Sequence, residues 1–175
     1  NLIITAPRNE QELRNIMYTA QQGLKHPIAI RYPRGRGLVM NWKSEFESIA
    51  IGKGEQLKAG QKIAILSVGA IANNVNIAID TLSVAHFDMR FIKPLDERLL
   101  KNIFETYDTI ITVENGTIRG GFGSGILEFA AEHNYKNTIY VKGIPDEFIE
   151  HGSTDELQNE VGLDVESLKK FIVSL

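Results

Sequence analysis

The sequence predicts an α/β fold, in which a mainly parallel, doubly wound sheet follows a βαβ remnant of a second α/β domain. Short apolar runs rich in Ile and Val alternate with segments of helical periodicity along most of the chain. Several runs are apolar throughout, which is typical of strands that helices cover on both faces. Helix start signals precede several of the periodic segments. Together these features favour helices packed on both sides of a parallel sheet.

The first unit, residues 1–32, has the order strand, helix, strand. Its first strand is the apolar run 2–5, Asn9-x-x-Glu12 is a helix start signal, and residues 28–32 form the second strand. One helix and two strands bury too little apolar surface for a core of their own. We therefore expect residues 1–40 to be the end of a larger domain whose earlier strands precede Asn1.

Residues 41–60 are predicted to be a linker, because glycines interrupt the pattern there. This stretch contains the only tryptophan, Trp42, and a strand is expected near residues 48–57. Regular alternation then resumes over residues 61–175, which we predict to be a complete second domain. Its predicted strands are 63–68, 86–91, 109–113 and 138–141. Its predicted helices cover 71–82, follow Asp96, begin at the Gly120–Gly125 run, follow Ser153-x-x-Glu156 and start near Val165.

Composition excludes several classes of protein. The 175 residues are 43% hydrophobic and 23% charged, as in ordinary globular proteins, and the net charge of −3 argues against a broad nucleic-acid surface. The absence of cysteine excludes disulfides, thiolate zinc sites and cysteine nucleophiles. No apolar run approaches the ~20 residues of a membrane span, and no signal peptide is evident. We expect a cytoplasmic protein that has neither nucleic-acid nor membrane partners.

The motif Arg31-Tyr32-Pro33-Arg34-Gly35-Arg36-Gly37 is the strongest candidate for an anion site. It follows a predicted strand, and ligands gather at the carboxyl ends of parallel strands. A guanidinium group is a planar fork of donors that suits phosphate or carboxylate, and the glycines permit close approach. Arg34 is preferred over Arg31 because it lies past the strand end. The alternative interpretation is a solvated basic turn that pairs with acidic neighbours.

The other candidate motifs predict structure rather than chemistry. The run Gly120–Gly125 follows a strand and precedes a helix, but its spacing is not that of a dinucleotide fingerprint and no Walker lysine follows. We favour close packing of the helix on the sheet or on a subunit partner. Glu114 is not expected to be a base, and Ser67 and Ser124 lack a nucleophile-elbow context. The histidines lack metal-ligand spacing: His26, His86, His133 and His151. We predict no catalytic, cofactor-binding or metal-binding residue in this chain.

An ordered series of motifs resembles the C-terminal part of the 1-deoxy-D-xylulose-5-phosphate synthase family. The matching strings are Arg31 to Gly35, Ile51 to Gly54, Asp88 to Asp96, Thr112 to Asn115 with Gly120 to Gly125, and Gly143 to Ile149 with His151-Gly152. The resemblance covers essentially the whole chain. It implies a transketolase-like thiamine diphosphate enzyme with three α/β domains, in which residues 1–40 end the pyrimidine-binding domain and residues 61–175 form the transketolase C-terminal domain.

The resemblance also implies a function for the full-length enzyme. It would be a homodimeric transferase that condenses pyruvate with glyceraldehyde 3-phosphate, with loss of CO2, for isoprenoid and thiamine biosynthesis. Arg34 matches the arginine that holds the acceptor phosphate in this family. The residues that bind thiamine diphosphate and Mg²⁺ lie upstream of Asn1 in the family, so the chain alone is expected to bind neither and to be inactive. Arg8 departs from the small residue typical of relatives and touches no catalytic motif.

Two other hypotheses remain at this point. A fragment of a transketolase or of a 2-oxo acid dehydrogenase β subunit would share the architecture without sharing these strings. A non-catalytic module that binds an anion or a partner would instead need a complete N-terminal domain. We expect the exposed apolar surface of residues 1–40 to cause either self-association or disorder of that segment.

Overall fold

The computed structural model describes residues 1–35, 37 and 44–175. Helices and strands alternate through the described residues, as predicted. The strands are β1 (Ile3–Thr5), β2 (Ile28–Ile30), β3 (Glu55–Lys58), β4 (Ile63–Val68), β5 (Ala85–Asp88), β6 (Phe91–Lys93), β7 (Thr109–Thr117) and β8 (Thr138–Ile144). The helices are α1 (Glu10–Gln21), α2 (Ala72–Ala78), α3 (Glu97–Thr106), α4 (Phe122–Glu132), α5 (Thr154–Glu160) and α6 (Val165–Val173). None of these helices is long and apolar enough to cross a bilayer.

The larger sheet has five strands in the order β3-β5-β4-β7-β8. All neighbours are parallel except β3, which runs antiparallel to β5 at the edge. Residues of α3 and α4 pack on one face, and residues of α2 and α6 pack on the other. Because helices cover both faces, the central strands β4 and β7 can be apolar along most of their length. The predicted doubly wound, mainly parallel sheet is confirmed.

The smaller sheet has three strands in the order β2-β1-β6. The strands β1 and β2 are parallel and α1 connects them, so residues 1–32 form the predicted βαβ unit. The third strand, β6, runs antiparallel to β1 and comes from beyond the predicted linker. The two halves of the chain therefore share one sheet, and the domain division at residues 41–60 stays a prediction. Within that stretch, Trp42 lies outside the described residues.

The single strand predicted over 86–91 is wrong, because the structure has two strands there. The strand β5 belongs to the larger sheet and β6 to the smaller one, and they are separated by Met89 and Arg90. Arg90 has a φ of 56°, and its amide donates to Asp88 Oδ1 at 3.1 Å. This left-handed residue redirects the chain from one sheet to the other.

The predicted helix start signals are present as caps. Asn9 Oδ1 accepts from the Glu12 amide at 2.9 Å, Asp96 accepts from the Leu99 amide, and Ser153 forms a full capping box with Glu156. At α1 the capping box is incomplete, because the Glu12 carboxylate does not return to Asn9. It accepts instead from the Arg8 amide and from the Arg90 guanidinium. The Glu12 carboxylate therefore links α1 to the loop before it and to Arg90.

Candidate functional site

A cavity of about 280 Å³ lies where the loops that follow β1, β2 and β4 meet, and we call it the strand-end cavity. Carboxyl ends of parallel strands are where α/β sheets bind ligands. The residues that line it are Pro7, Arg8, Asn9, Glu10, Leu13, Tyr32, Pro33, Gly35, Gly37 and Ala70. Both the first turn of α1 and the predicted anion motif therefore contribute to one concave surface.

Arg34 lies at the rim of the strand-end cavity, in the bend that follows β2. Its side chain is exposed, and the residues on either side of it, Pro33 and Gly35, both line the cavity. No carboxylate of the described residues pairs with its guanidinium. The geometry is compatible with an anion site, and phosphate binding by Arg34 stays a prediction. Arg36, in the same motif, lies outside the described residues.

Arg31 attaches the same motif to the rest of the molecule. Its amide donates to the Thr5 carbonyl at 2.9 Å, which extends the β1–β2 pairing by one residue. Its guanidinium donates to the carbonyl of Asn115, in β7 of the larger sheet. The loop that contains Arg34 is therefore held at one end by both sheets, and the preference for Arg34 over Arg31 as the ligand-binding residue stays a prediction.

A cluster of five charged residues adjoins the strand-end cavity at Arg8, which lines that cavity. We call it the ionic cluster: Arg8, Glu12, Glu55, Asp88 and Arg90. The Arg90 Nε donates to Glu12 at 2.5 Å, and both arginines donate to Glu55. Arg8 Nε lies 3.6 Å from Asp88 Oδ2, and neither atom has a hydrogen-bond partner. Burial raises the pKa of Asp88 well above its usual range, and the charge of Glu12 adds to the rise.

Two amides at the start of α4 are already bonded and are not free for a phosphate. The buried Glu114 carboxylate accepts from the amides of Phe122 at 2.9 Å and Gly123 at 2.8 Å, so it occupies the positive end of α4. A Cβ on Gly121 would lie 2.2 Å from the Thr117 carbonyl oxygen, and one on Gly123 would lie 2.5 Å from a Val141 methyl group. The run thus permits close packing of α4 on the sheet, as we expected.

A buried serine and a buried histidine form a hydrogen-bonded chain with an exposed asparagine. His86 Nε2 lies 2.7 Å from Ser67 Oγ, and its Nδ1 lies 2.7 Å from Asn76 Oδ1. Burial lowers the pKa of His86 to about 3, and the charges of Arg8 and Lys58 act in the same direction. Ser67 is fully buried and cannot meet a substrate. The arrangement joins β4, β5 and α2 and is structural.

The chain is similar to known proteins over its whole length. The family model described as the transketolase C-terminal domain matches residues 52–168. The chain is 51% identical, over its full length, to the 1-deoxy-D-xylulose-5-phosphate synthase of Cytophaga hutchinsonii, and it covers 28% of that protein. It is 49% identical, over 97% of its length, to the synthase of Bacteroides thetaiotaomicron, and it covers 27% of that protein. It thus spans just over a quarter of the curated relatives' length.

Solved structures of low sequence identity share the fold. A split-gene transketolase, described as an inactive β4 tetramer, superposes with a TM-score of 0.81 over 99% of this chain and 57% of its own, at 24% identity. Transketolase from Campylobacter jejuni superposes with a TM-score of 0.70 over 100% of this chain and 26% of its own, at 20% identity. These similarities agree with the sheet order and the helix layers described above.

Proposed function

Because the chain belongs to the transketolase C-terminal domain family, we propose that it is the C-terminal part of a 1-deoxy-D-xylulose-5-phosphate synthase. One observation supports this most: the alignments to two such synthases, at 51% and 49% identity, cover 100% and 97% of the chain, whereas the family model matches residues 52–168. The transketolases of known structure are only 20% and 24% identical. We assign residues 1–40 to the end of the pyrimidine-binding domain, 41–60 to a linker and 61–175 to the C-terminal domain.

The whole protein would be a cytoplasmic homodimer that condenses pyruvate with glyceraldehyde 3-phosphate and releases CO2. Within it, Arg34 would bind the phosphate of the aldehyde at the rim of the strand-end cavity. A guanidinium remains charged at all working pH values and can donate two parallel hydrogen bonds to phosphate oxygens. Attachment of the loop through Arg31 and the rigid ring of Pro33 would hold that fork in place before the substrate arrives.

Thiamine diphosphate, when bound, would supply the electron sink for decarboxylation. The residues described here do not fit that cofactor. No group of three His, Asp or Glu side chains among them could hold Mg²⁺, and Glu114 already satisfies the amides at the start of α4. The cofactor site would belong to the remainder of the enzyme. The part played by this chain is therefore to bind and orient the acceptor, and we expect it to be inactive when isolated.

A chimera tests this function directly. In it, these 175 residues replace the matching segment of the Cytophaga hutchinsonii protein. With thiamine diphosphate and Mg²⁺, we expect the chimera to form 1-deoxy-D-xylulose 5-phosphate and CO2 from pyruvate and glyceraldehyde 3-phosphate. A folded chimera that does not form this product would contradict the proposed function. A chimera that instead transfers two carbons between sugar phosphates would favour a transketolase.

Replacing Arg34 in the chimera tests its role separately. Loss of a charged hydrogen-bond donor to phosphate should raise KM for glyceraldehyde 3-phosphate by about tenfold to a hundredfold in Arg34→Ala. The KM for pyruvate, which has no phosphate, should not change. Arg119→Ala is the matched control, because Arg119 is exposed and its ion pair within the described part of the chain is with Asp146, at 3.6 Å. Equal acceptor KM values in the two variants would exclude Arg34 from phosphate binding.

A further inference from the structure

Arg90 lies at the point where the chain crosses from the larger to the smaller sheet. Its carbonyl accepts two hydrogen bonds from the end of β1, one from Thr5 Oγ1 at 2.7 Å and one from the Ala6 amide at 2.9 Å. Its amide donates to Asp88 Oδ1. Both backbone polar groups of Arg90 are therefore bonded, the carbonyl to the end of β1 and the amide to Asp88 of β5.

The Arg90 side chain bonds to two other elements, α1 and β3. Its guanidinium, 18% exposed, donates through Nε to Glu12 in α1 and through Nη2 to Glu55 in β3. Glu12 is buried, and its other oxygen accepts from the Arg8 amide at 2.7 Å. The Arg8 carbonyl in turn accepts from Asn73 of α2 at 2.9 Å. The loop that follows β1 is thus held at both polar groups of Arg8.

That loop contributes Pro7, Arg8 and Asn9 to the lining of the strand-end cavity, to which the loop that contains Arg34 also contributes. Arg90 itself does not line this cavity. We propose that Arg90 is a positioning residue, which acts through Glu12 to fix the loop after β1 and so sets the width of the acceptor site beside Arg34. This inference rests on the proposed function. In this proposal Arg90 affects the affinity for the acceptor without contacting it.

The geometry explains why the position needs arginine. Two separate nitrogens of one rigid fork reach two carboxylates on different elements, α1 and β3. A lysine ammonium is a single point charge and can face only one of them closely. Both carboxylates lie in a partly buried cluster in which Arg8 is the other cation. Removing Arg90 leaves more negative than positive charge there, and the repulsion would push α1 and the loop before it away from the larger sheet.

The test uses the chimera with Arg90→Met, assayed with glyceraldehyde 3-phosphate and with unphosphorylated glyceraldehyde. We expect KM for the phosphorylated acceptor to rise by about tenfold, kcat to change by less than about threefold, and kcat/KM for glyceraldehyde to stay the same. Arg90→Lys should restore part of the affinity. An unchanged KM, or an equal loss for both acceptors, would overturn the proposal.

Two further variants separate positioning from simple loss of stability. Lys58 is a cation outside the ionic cluster, and its ammonium donates to the backbone carbonyls of Asp80 and Leu82 near the end of α2. Lys58→Met should therefore lower the melting temperature without changing KM. The double variant Glu12→Gln with Arg90→Met removes the uncompensated charge, so stability should recover while KM stays high. If KM recovers together with stability, Arg90 acts only through stability and the proposal fails.

Glu12→Gln protects the test against a misfolded Arg90→Met. The amide keeps the shape of the side chain through which Arg90 acts, and Glu55 still accepts from both arginines of the ionic cluster, so this variant should fold and should raise the acceptor KM in the same direction. An unchanged KM in this folded variant would overturn the proposal. If Arg34→Ala also leaves KM unchanged, the phosphate role of Arg34 and the positioning role of Arg90 fail together. If only Arg34→Ala raises KM, the positioning role alone is overturned.

Discussion

His86 shows how one buried side chain can make the whole fold sensitive to acid. Asn76 Oδ1 can only accept a hydrogen bond, so Nδ1 of His86 holds the ring proton and Nε2 accepts from the Ser67 hydroxyl. The neutral ring satisfies both partners. A protonated ring would place a positive charge in the apolar layer beneath α2, near the cations Arg8 and Lys58. The fold therefore selects the uncharged form.

This selection predicts a pH dependence of stability. The pKa of His86 is about 3 in the folded state and about 6.5 when unfolded, so the unfolded chain binds the extra proton between these values. Stability should accordingly fall as pH falls from about 6.5 toward 3, by up to about 1.4 kcal/mol per pH unit. Urea unfolding of wild type and His86→Gln at several pH values measures the difference in slope, which isolates His86 from the other groups.

Asp88 has the opposite effect on the pH dependence of stability, and it is present in both wild type and His86→Gln. Its pKa is raised in the fold, so its contribution to stability is lost as pH rises. Because wild type and His86→Gln share it, it cancels from the difference between their pH profiles. Parallel profiles below pH 6.5 would contradict the neutral, buried state of His86.

Residues with local partners were predictable from sequence, and residues with distant partners were not. Asn9, Asp96 and Ser153 bind amides three positions away, so their capping role could be identified from spacing alone. Arg90 binds Glu12, 78 positions away, and no periodicity or motif signals that pair. Arg34 could be proposed from sequence as a ligand-binding residue because the strand end that precedes it is a local feature. The ionic cluster likewise depends mainly on pairs that are distant in sequence, although Arg8 and Glu12 are only four positions apart.

At the scale of elements, α4 depends on glycines that differ in their surroundings. At Gly123, an added Cβ would lie 2.5 Å from Val141 Cγ1 and 2.7 Å from Thr112 Oγ1. Both atoms belong to β-branched side chains on the sheet, which cannot rotate away easily. At Gly125, in the same helix, the nearest atom would be 3.9 Å away, in Leu95. Only the first glycine is required by close packing.

This difference predicts opposite effects of the same substitution. Gly123→Ala should destabilise the fold by about 1–3 kcal/mol, because α4 must move off the sheet and weaken its bonds to Glu114. Gly125→Ala should stabilise it by up to about 1 kcal/mol, since alanine has the higher helix propensity. Denaturant unfolding of the two variants provides the measurement. Similar stability changes would show that the run serves neither close packing nor the capping of α4.

The break between β5 and β6 sets the limit of element prediction. Apolar alternation continues through residues 85–93, so the pattern alone predicts one strand. The left-handed backbone of Arg90 lies inside that run, at a residue type that does not usually adopt it. It is stabilised by side chains from β5 and α1. The paired strands and covering helices were predictable because their patterns are regular, whereas this turn is specified by tertiary contacts.

On the scale of the whole molecule, β6 makes the two predicted halves structurally dependent on each other. Two of the three strands in the smaller sheet come from residues 1–32, and β6 closes it from the C-terminal side. The opposite edge is β2, which among the described residues is paired on one side only and whose residues are half-buried or exposed. The smaller sheet is thus tightly connected toward the larger one and open on its other side, where an unpaired edge can recruit another chain.

The open side predicts that the isolated chain self-associates. Met17 on α1 is 49% exposed and Phe46 is 53% exposed, and both line a largely apolar cavity of about 690 Å³. A contiguous apolar surface of this kind is typical of interfaces rather than of solvated faces.

Light scattering over a range of concentrations should show a mass that grows with concentration in wild type and is reduced in Met17→Lys. Ile77→Lys, on α2 and outside this cavity, is the matched control and should associate like wild type. A wild-type monomer whose β1 and α1 amides are fully protected from hydrogen exchange would contradict the prediction, since it would show that the smaller sheet is stable with its open side in water.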